Sequence, residues 1–258
     1  MVTGSTGTVV LMYHSLLAGP EEAEGVERGE SIYMTGAERF DEHLATLESM
    51  GIPVTVHSDP PAGGMSVMLT FDDGNASDRS IALPLLEKRG MKAAFFITTG
   101  AIGSDGRSAR EDIEVLHRSG MIIGSHGVTH RFLTDLGPAE LEEELRRSRE
   151  DLEEITGSPV DSISAPGGRI DRGVLRAAVE AGYRFIYSSK PRVNERIEER
   201  VPAGRFAVTD RWDAGTLRRV ASGNPPPSIA LRHAALSGAR LALGNRLYAR
   251  LRGRLLGD

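Results

Sequence analysis

With 258 residues, 40% of them hydrophobic and 26% charged, the chain is long enough for one large domain or two small ones around a buried core, which excludes a disordered polymer. A formal charge of -5 and a pI near 5.9 supply no global basic field, and so argue against nucleic acid as a partner. The lack of cysteine excludes disulfides, thiolate nucleophiles and Cys-bound zinc, so any metal must rest on histidine and carboxylate.

The opening MVTGSTGTVVLMYH has no basic n-region and no long apolar h-region, and nowhere do ~18 apolar residues run together. The expectation is a cytoplasmic chain without a membrane span. TVVLMYH (8–14) is the first predicted strand, followed by LAGPEEAEGVERGE (17–30), an acidic insertion that reads as a solvated loop over the strand end. Phe40, Leu44 and Leu47 then share one face of a helix that stops at Gly51. VMLTF (67–71), AAFFIT (93–98) and MIIGSH (121–126) are further strands, several of them continuously apolar as in a parallel sheet buried on both faces. In PAELEEELRRSREDLEEITG, Leu141, Leu145, Leu152 and Ile155 line one helix face, Pro138 suits the first turn, and Gly157 is a stop. SISA (162–165) and FIYSS (185–189) complete the strands.

Residues 1–221 form the alternating body, and SGNPPPS (222–228) reads as a stiff linker. Beyond it, 229–258 carries Arg232, Arg240, Arg246, Arg250, Arg252 and Arg254, with Leu236, Leu243, Leu247, Leu251 and Leu255 at helical spacing. This basic amphipathic helix suits either an anionic membrane surface or docking on the body with its arginines in solvent. Repeated strand-then-helix order implies an α/β fold, barrel-like or doubly wound, with ligands at the carboxyl ends of strands.

Four strands end in reactive chemistry. Asp72 and Asp73 follow VMLTF, His126 and His130 follow MIIGS, a Pro-Gly-Gly turn follows SISA, and His14 follows VVLMY. A divalent metal with open positions wants a carboxylate and two imidazoles, which Asp73, His126 and His130 can provide. The i, i+4 spacing puts both imidazoles on one face if the segment turns helically. Taken singly, an HxxxH pair is commonly a chance surface pair and Asp-Asp-Gly a turn; the signal lies in their joint occurrence at strand ends.

LTFDDG, GSHGVTH, the helix ending in ITG, APGG and AGY, in that order between Val67 and Tyr183, resemble the polysaccharide deacetylases of carbohydrate esterase family 4. The resemblance implies a distorted (β/α)7-type barrel and metal-dependent removal of acetyl groups from N-acetylated sugars, with 1–221 as the catalytic domain. It implies Asp72 as general base, Asp73, His126 and His130 as ligands of one divalent ion (zinc first, then cobalt, manganese or nickel), and the Pro166–Gly167 turn as oxyanion site. LMYHSL and FDEHLATLESMGI further resemble the circularly permuted exopolysaccharide deacetylases, which place the proton-donating histidine near the N-terminus. His14 is accordingly read as general acid, against a structural histidine capping the first strand. His43, His57, His117 and His233 are read as structural or surface residues.

Three features depart from the family pattern. The Arg-x-Pro-x-Gly arginine that normally pairs with the catalytic aspartate is missing from Ser164-Ala165-Pro166-Gly167-Gly168, leaving Arg169 either as its substitute or as a solvent-facing residue at a helix start. His126-Gly127 replaces His-Ser/Thr, removing a hydroxyl that would brace the metal loop. The aromatic wall of the acetyl pocket has only Trp212 and Tyr187 as candidates. The expected function is deacetylation of an N-acetylated glycan or lipid-linked sugar, at the inner face of the membrane if the basic helix binds it. Hydrolysis of another C–N bond, such as deformylation of a lipid-linked aminosugar or opening of a small cyclic amide, and carbohydrate binding without catalysis are the alternatives.

Overall fold

The structure is a computed structural model, and it describes residues 6–23, 26, 31–57, 63–236 and 238. Its centre is one parallel sheet. Strands β1 (Gly7–Tyr13), β5 (Met65–Phe71), β6 (Ala93–Ile97), β7 (Ile122–Ser125), β8 (Ser162–Ser164), β9 (Phe185–Tyr187) and β10 (Phe206–Ala207) follow the spatial order β10-β1-β5-β6-β7-β8-β9. Two-residue strands β2 (Leu16–Leu17) and β3 (Thr35–Gly36) pair with each other, and β4 (Val54–Thr55) adds to β5 below the stretch that β6 occupies.

Side-chain alternation along these strands separates two apolar layers. On β1 and β5, Val9, Leu11, Tyr13, Val67, Leu69 and Phe71 face outward into the main core, where the helices cover them. Val10 and Met68 face inward with Ala94, Phe96, Phe185, Tyr187 and Ala203, filling a smaller interior cluster. The expected (β/α) barrel is therefore present as a curled parallel sheet with a packed interior. Stacked aromatics tie the outer layer together: Tyr13 and Phe71 rings lie 5.3 Å apart, and Phe71 and Phe95 4.8 Å apart.

The helices follow from the predicted signals. Helix α1 (Ala37–Met50) buries Phe40, Leu44 and Leu47 and ends at Gly51, whose φ of 62° is the left-handed conformation a C-terminal glycine supplies. Next come α2 (Leu83–Glu87) and α3 (Arg110–Arg118). Helix α4 (Pro138–Thr156) starts at Pro138, closes its first turn with Glu140 accepting from Gly137 N, and stops at Gly157 with φ 64°. Helices α5 (Arg172–Glu180) and α6 (Ala214–Ala221) begin at Asp171 and Asp213, whose carboxylates accept from Val174 N and Thr216 N. Among the described residues, no helix is long and apolar enough to cross a membrane.

The segment 203–207 joins the two ends of the sheet. Ala203 exchanges backbone hydrogen bonds with Ile186 and Ser188 beside β9, and Phe206 and Ala207 stand in register with Leu11 and Met12 of β1. Asn194, 5% exposed, pins this segment: its Nδ2 donates to Thr8 O and Gly204 O, and its Oδ1 accepts from Gly204 N. After α6, a helical run over 227–236 begins inside the expected linker; Ile229 packs against the core and Leu231 is 72% exposed. Most of the expected basic helix, including Arg240, Arg246, Arg250, Arg252 and Arg254, lies outside the described residues, as do 24, 25 and 27–30 of the acidic insertion. Because Asn194→Ala strands the buried N–H and C=O of Gly204 on the closing segment, it should cost about 2 kcal/mol in urea unfolding; a loss below about 0.5 kcal/mol would show that the segment seats without it.

Candidate active site and metal centre

The inward positions of β5 run Ser66, Met68, Thr70 and then Asp72, so the strand's own period delivers the first aspartate to the barrel interior. The same alternation on the closing segment turns Phe206 and Val208 outward and Arg205 inward. The two side chains meet as a buried bidentate pair: Arg205 Nη1 and Nη2 donate to Asp72 Oδ1 and Oδ2, both at 2.7 Å, with the side chains 0% and 4% exposed. Nη1 also donates to Thr70 Oγ1 at 3.2 Å, Nη2 to Ser164 Oγ at 2.7 Å, and Nε to Ser188 O at 3.0 Å. These contacts occupy the five N–H groups of the guanidinium, which is what allows a full positive charge at zero exposure.

This corrects the expectation for Arg169. The cation beside Asp72 is Arg205, and the Arg169 guanidinium lies over the Phe132 ring, its Cζ 3.4 Å from the centroid. Ser164, where the family motif has arginine, leaves room for a guanidinium arriving from the closing segment, and its hydroxyl donates to Asp72 Oδ2 at 3.0 Å. Burial alone would push the Asp72 carboxyl up, but the charge and hydrogen bonds of Arg205 outweigh it and hold the pKa below the usual carboxylate value.

Asp73 leaves the strand with φ 81°, a left-handed conformation that costs a non-glycine residue on the order of 1 kcal/mol. Its Oδ1 lies 3.4 Å from His126 Nε2 and 3.1 Å from His130 Nε2. One ligand atom from each of the three residues falls within 4.8 Å of the others. His126 Nδ1 stands 2.8 Å from Ser164 O; a carbonyl only accepts, so Nδ1 carries the proton and the Nε2 lone pair faces the carboxylate. Burial pushes the His126 pKa down, which keeps that imidazole in its neutral, ligating form. The hydrogen bond with Asp73 raises that of His130. Burial would raise the Asp73 carboxyl, yet the hydrogen bond with His130 holds it far below the ordinary range. One carboxylate and two imidazoles, with one tautomer set by a carbonyl, fit a divalent cation of the borderline class to which zinc belongs.

The two imidazoles do not share a helix face. Residues 126–130 form a loop, with Gly127 at φ 79° and His130 at φ 58°, and their ring centroids are 5.1 Å apart. Glu144 holds this loop from α4: its Oε1 accepts from Val128 N at 2.8 Å and Thr129 N at 2.7 Å, and the Thr129 hydroxyl donates to both of its oxygens. Gly127 N donates to Ser125 Oγ. The brace expected from a hydroxyl at position 127 therefore comes from a carboxylate at 144, and a Cβ on Gly127 would stand 2.9 Å from Glu144 Oε1. Sequence reading missed Glu144, although it falls on the buried face of α4 with Leu141, Leu145, Ser148 and Leu152.

His14 is half-buried at the end of β1, its ring 5.2 Å from that of Tyr33, and its charge acts on both Asp72 and Asp73. Pro166 and Gly167 sit in the turn after β8; Gly167 has φ 63°, and a Cβ there would meet Phe132 Cε1 at 2.6 Å, so only glycine fits. Tyr187 and Trp212 are not walls of an open pocket. Tyr187 is fully buried with its hydroxyl 3.0 Å from His57 Nδ1, and Trp212 is 5% exposed in the outer core. His43 bridges the Tyr13 hydroxyl and Trp212 O, and His117 Nε2 lies 3.1 Å from Ser158 Oγ, both structural positions as expected.

Replacing Arg205 by methionine leaves the Asp72 charge buried without a partner, at an expected cost of about 3–5 kcal/mol near neutrality. The sign with pH follows from the pair. The depressed wild-type pKa contributes stability that is present above about pH 4 and lost as pH falls through the folded value, whereas in Arg205→Met the carboxyl pKa rises and stability is lost as pH climbs. Urea midpoints should therefore show a larger wild-type to variant gap at pH 7 than at pH 3.5; a constant gap would contradict this account of the pair.

A model of the polysaccharide deacetylase family matches residues 59–186. The Bacillus subtilis protein YxkH, which carries a polysaccharide deacetylase name, is 27% identical over 190 residues, covering 70% of this chain and 64% of the relative. The peptidoglycan-N-acetylglucosamine deacetylase of Bacillus cereus is 25% identical over 127 residues, 49% of this chain and 45% of that protein, so the chain spans less than two thirds of the length of either. Among solved structures, the Streptococcus pyogenes deacetylase PplD in complex with acetate superposes with a TM-score of 0.72 at 20% identity, covering 85% of this chain and 99% of that one, which establishes the shared fold. With the curled parallel sheet, the Asp-Asp strand end and the family match in agreement, the chain belongs to the polysaccharide deacetylase superfamily.

Proposed function

We propose that the protein hydrolyses the acetamide of an N-acetylated sugar within a glycan, using one divalent metal ion. The observation that carries this reading is the division of labour between adjacent carboxylates: Asp73 faces two imidazoles, while Asp72 faces a guanidinium. Asp73, His126 and His130 would hold the cation, which when bound supplies Lewis acidity toward the amide carbonyl and toward water. Asp72 is the general base. Ionised and fixed at both oxygens, it is oriented to take a proton from the attacking water, and the low basicity that Arg205 imposes suits a water already acidified.

His14 is the general acid that protonates the departing amine; among the described residues its buried Nδ1 has no hydrogen-bond partner. Gly167 N–H is the backbone donor for the developing oxyanion, and Pro166 fixes the turn that presents it. Glu144 keeps His130 in place by holding Val128 and Thr129. The binding-only alternative drew on the missing motif arginine and on the altered acetyl pocket, and Arg205 answers the first of these. The Bacillus cereus relative is named for action on peptidoglycan N-acetylglucosamine, which supports an N-acetylated glycan here as well.

Asp72→Asn should lower acetate release from N-acetylglucosamine oligomers by about 10²–10⁴-fold while the protein still binds one equivalent of zinc by atomic emission. Retention of full activity would sink the assignment of the base. Chelation should abolish wild-type release and zinc, cobalt, manganese or nickel should restore it; activity that survives chelation would exclude the metal.

A further inference from the structure

We propose that a cleft beside the metal triad is a subsite for a carboxylate carried on the glycan, so that the preferred substrate is an acidic rather than a neutral N-acetylated sugar chain; this rests on the deacetylase reading above. The cleft has a volume of about 210 Å³ and is lined by Thr98, Gly100, Ala101, Arg107, Val128, Thr129 and His130. His130 belongs both to the triad and to the lining of the cleft, so the two adjoin.

Arg107 gives the cleft its chemistry. It comes from the loop before α3, which the Asn75–Arg107 bridge and the hydrogen bonds Ala76 N to Gly106 O and Ser108 N to Gly74 O fasten to the turn after β5. Among the described residues, its hydrogen bonds to Asn75 Oδ1 at 2.8 Å and Asp73 O at 3.4 Å both leave from Nη1, so Nε and Nη2 remain for a ligand. The nearest carboxylate oxygen, Asp73 Oδ2, is 3.8 Å away, and it belongs to a residue whose charge a bound cation would offset. The side chain is about one third exposed, open enough for a ligand to reach. Thr98, 6% exposed, also lines the cleft, and its buried hydroxyl has no hydrogen-bond partner among the described residues. A fixed guanidinium and an unpartnered hydroxyl beside a reaction centre suit a carboxylate, which accepts from both. Among the described residues that line the cleft none is an acid, and the Glu144 carboxylate behind Val128 and Thr129 is already engaged by them.

The test compares an N-acetylated oligosaccharide bearing a carboxylate on the sugar next to the cleaved acetamide with its uncharged methyl ester. Wild-type kcat/KM should favour the acid at least tenfold, Arg107→Gln should bring the ratio near one, Arg107→Lys should keep part of it, and Thr98→Val should reduce it several-fold. Arg107 acting only to hold the turn after β5 would lower both substrates together and leave the ratio unchanged, which would overturn the proposal. Calorimetry on Asp72→Asn supplies a readout without turnover: the acid should bind more tightly than the ester, and adding Arg107→Gln should erase the difference. If wild type releases acetate from neither compound, the deacetylase reading fails while the binding difference still decides the subsite. Equal binding of acid and ester, or Arg107-dependent binding of inorganic phosphate without any preference for the acid, would overturn it.

Discussion

The buried pair between Arg205 and Asp72 is the interaction on which the site depends. A guanidinium at zero exposure is tolerated only when its donors are met, and here Asp72, Thr70, Ser164 and Ser188 meet all five. These partners come from β5, the end of β8 and the turn after β9, while the guanidinium itself comes from the segment that joins β9 to β1. The barrel must therefore be closed before the charge can be accommodated, and closing it without that charge would leave Asp72 uncompensated. Stability of the closure and ionisation of Asp72 are two aspects of one contact.

Around that contact, the site is built from backbone positions that ordinary residues avoid. Asp73 and His130 both adopt positive φ, and each is held by contacts that outweigh the local cost: the turn after β5 is tied to the loop carrying Arg107, and the histidine loop is tied to Glu144. Backbone held in this way presents both side chains in a fixed geometry. Asp78, buried nearby, is pushed well above the ordinary carboxylate value by burial and by the Asp73 charge.

Much of this was legible in the linear chain because it is local. Apolar runs marked the parallel sheet, Gly51 marked the end of α1, and Pro138 and Gly157 bounded α4 closely. The residues at strand ends were legible for the same reason. Glu144 carried a fainter sign, a charge on an otherwise buried helix face. Arg205 carried fainter still: one arginine inside a short alternating run, GRFAV, whose neighbours in sequence give no hint of a partner 133 residues away.

By itself, the sequence determined the α/β class, the strand ends that bear chemistry and the family to which the chain belongs, since those rest on periodicity and on contiguous motifs. Only the tertiary structure decided which cation faces Asp72, what braces the histidine loop and that residues 126–130 are a loop rather than a helical turn. The physical reason is that a guanidinium is placed by the sheet position it projects from and by the acceptors that converge on it. Ser164 and Arg205 lie on strands that become neighbours of Asp72 only when the sheet curls, so a charge lost from one strand can be supplied by another with no trace in the local motif.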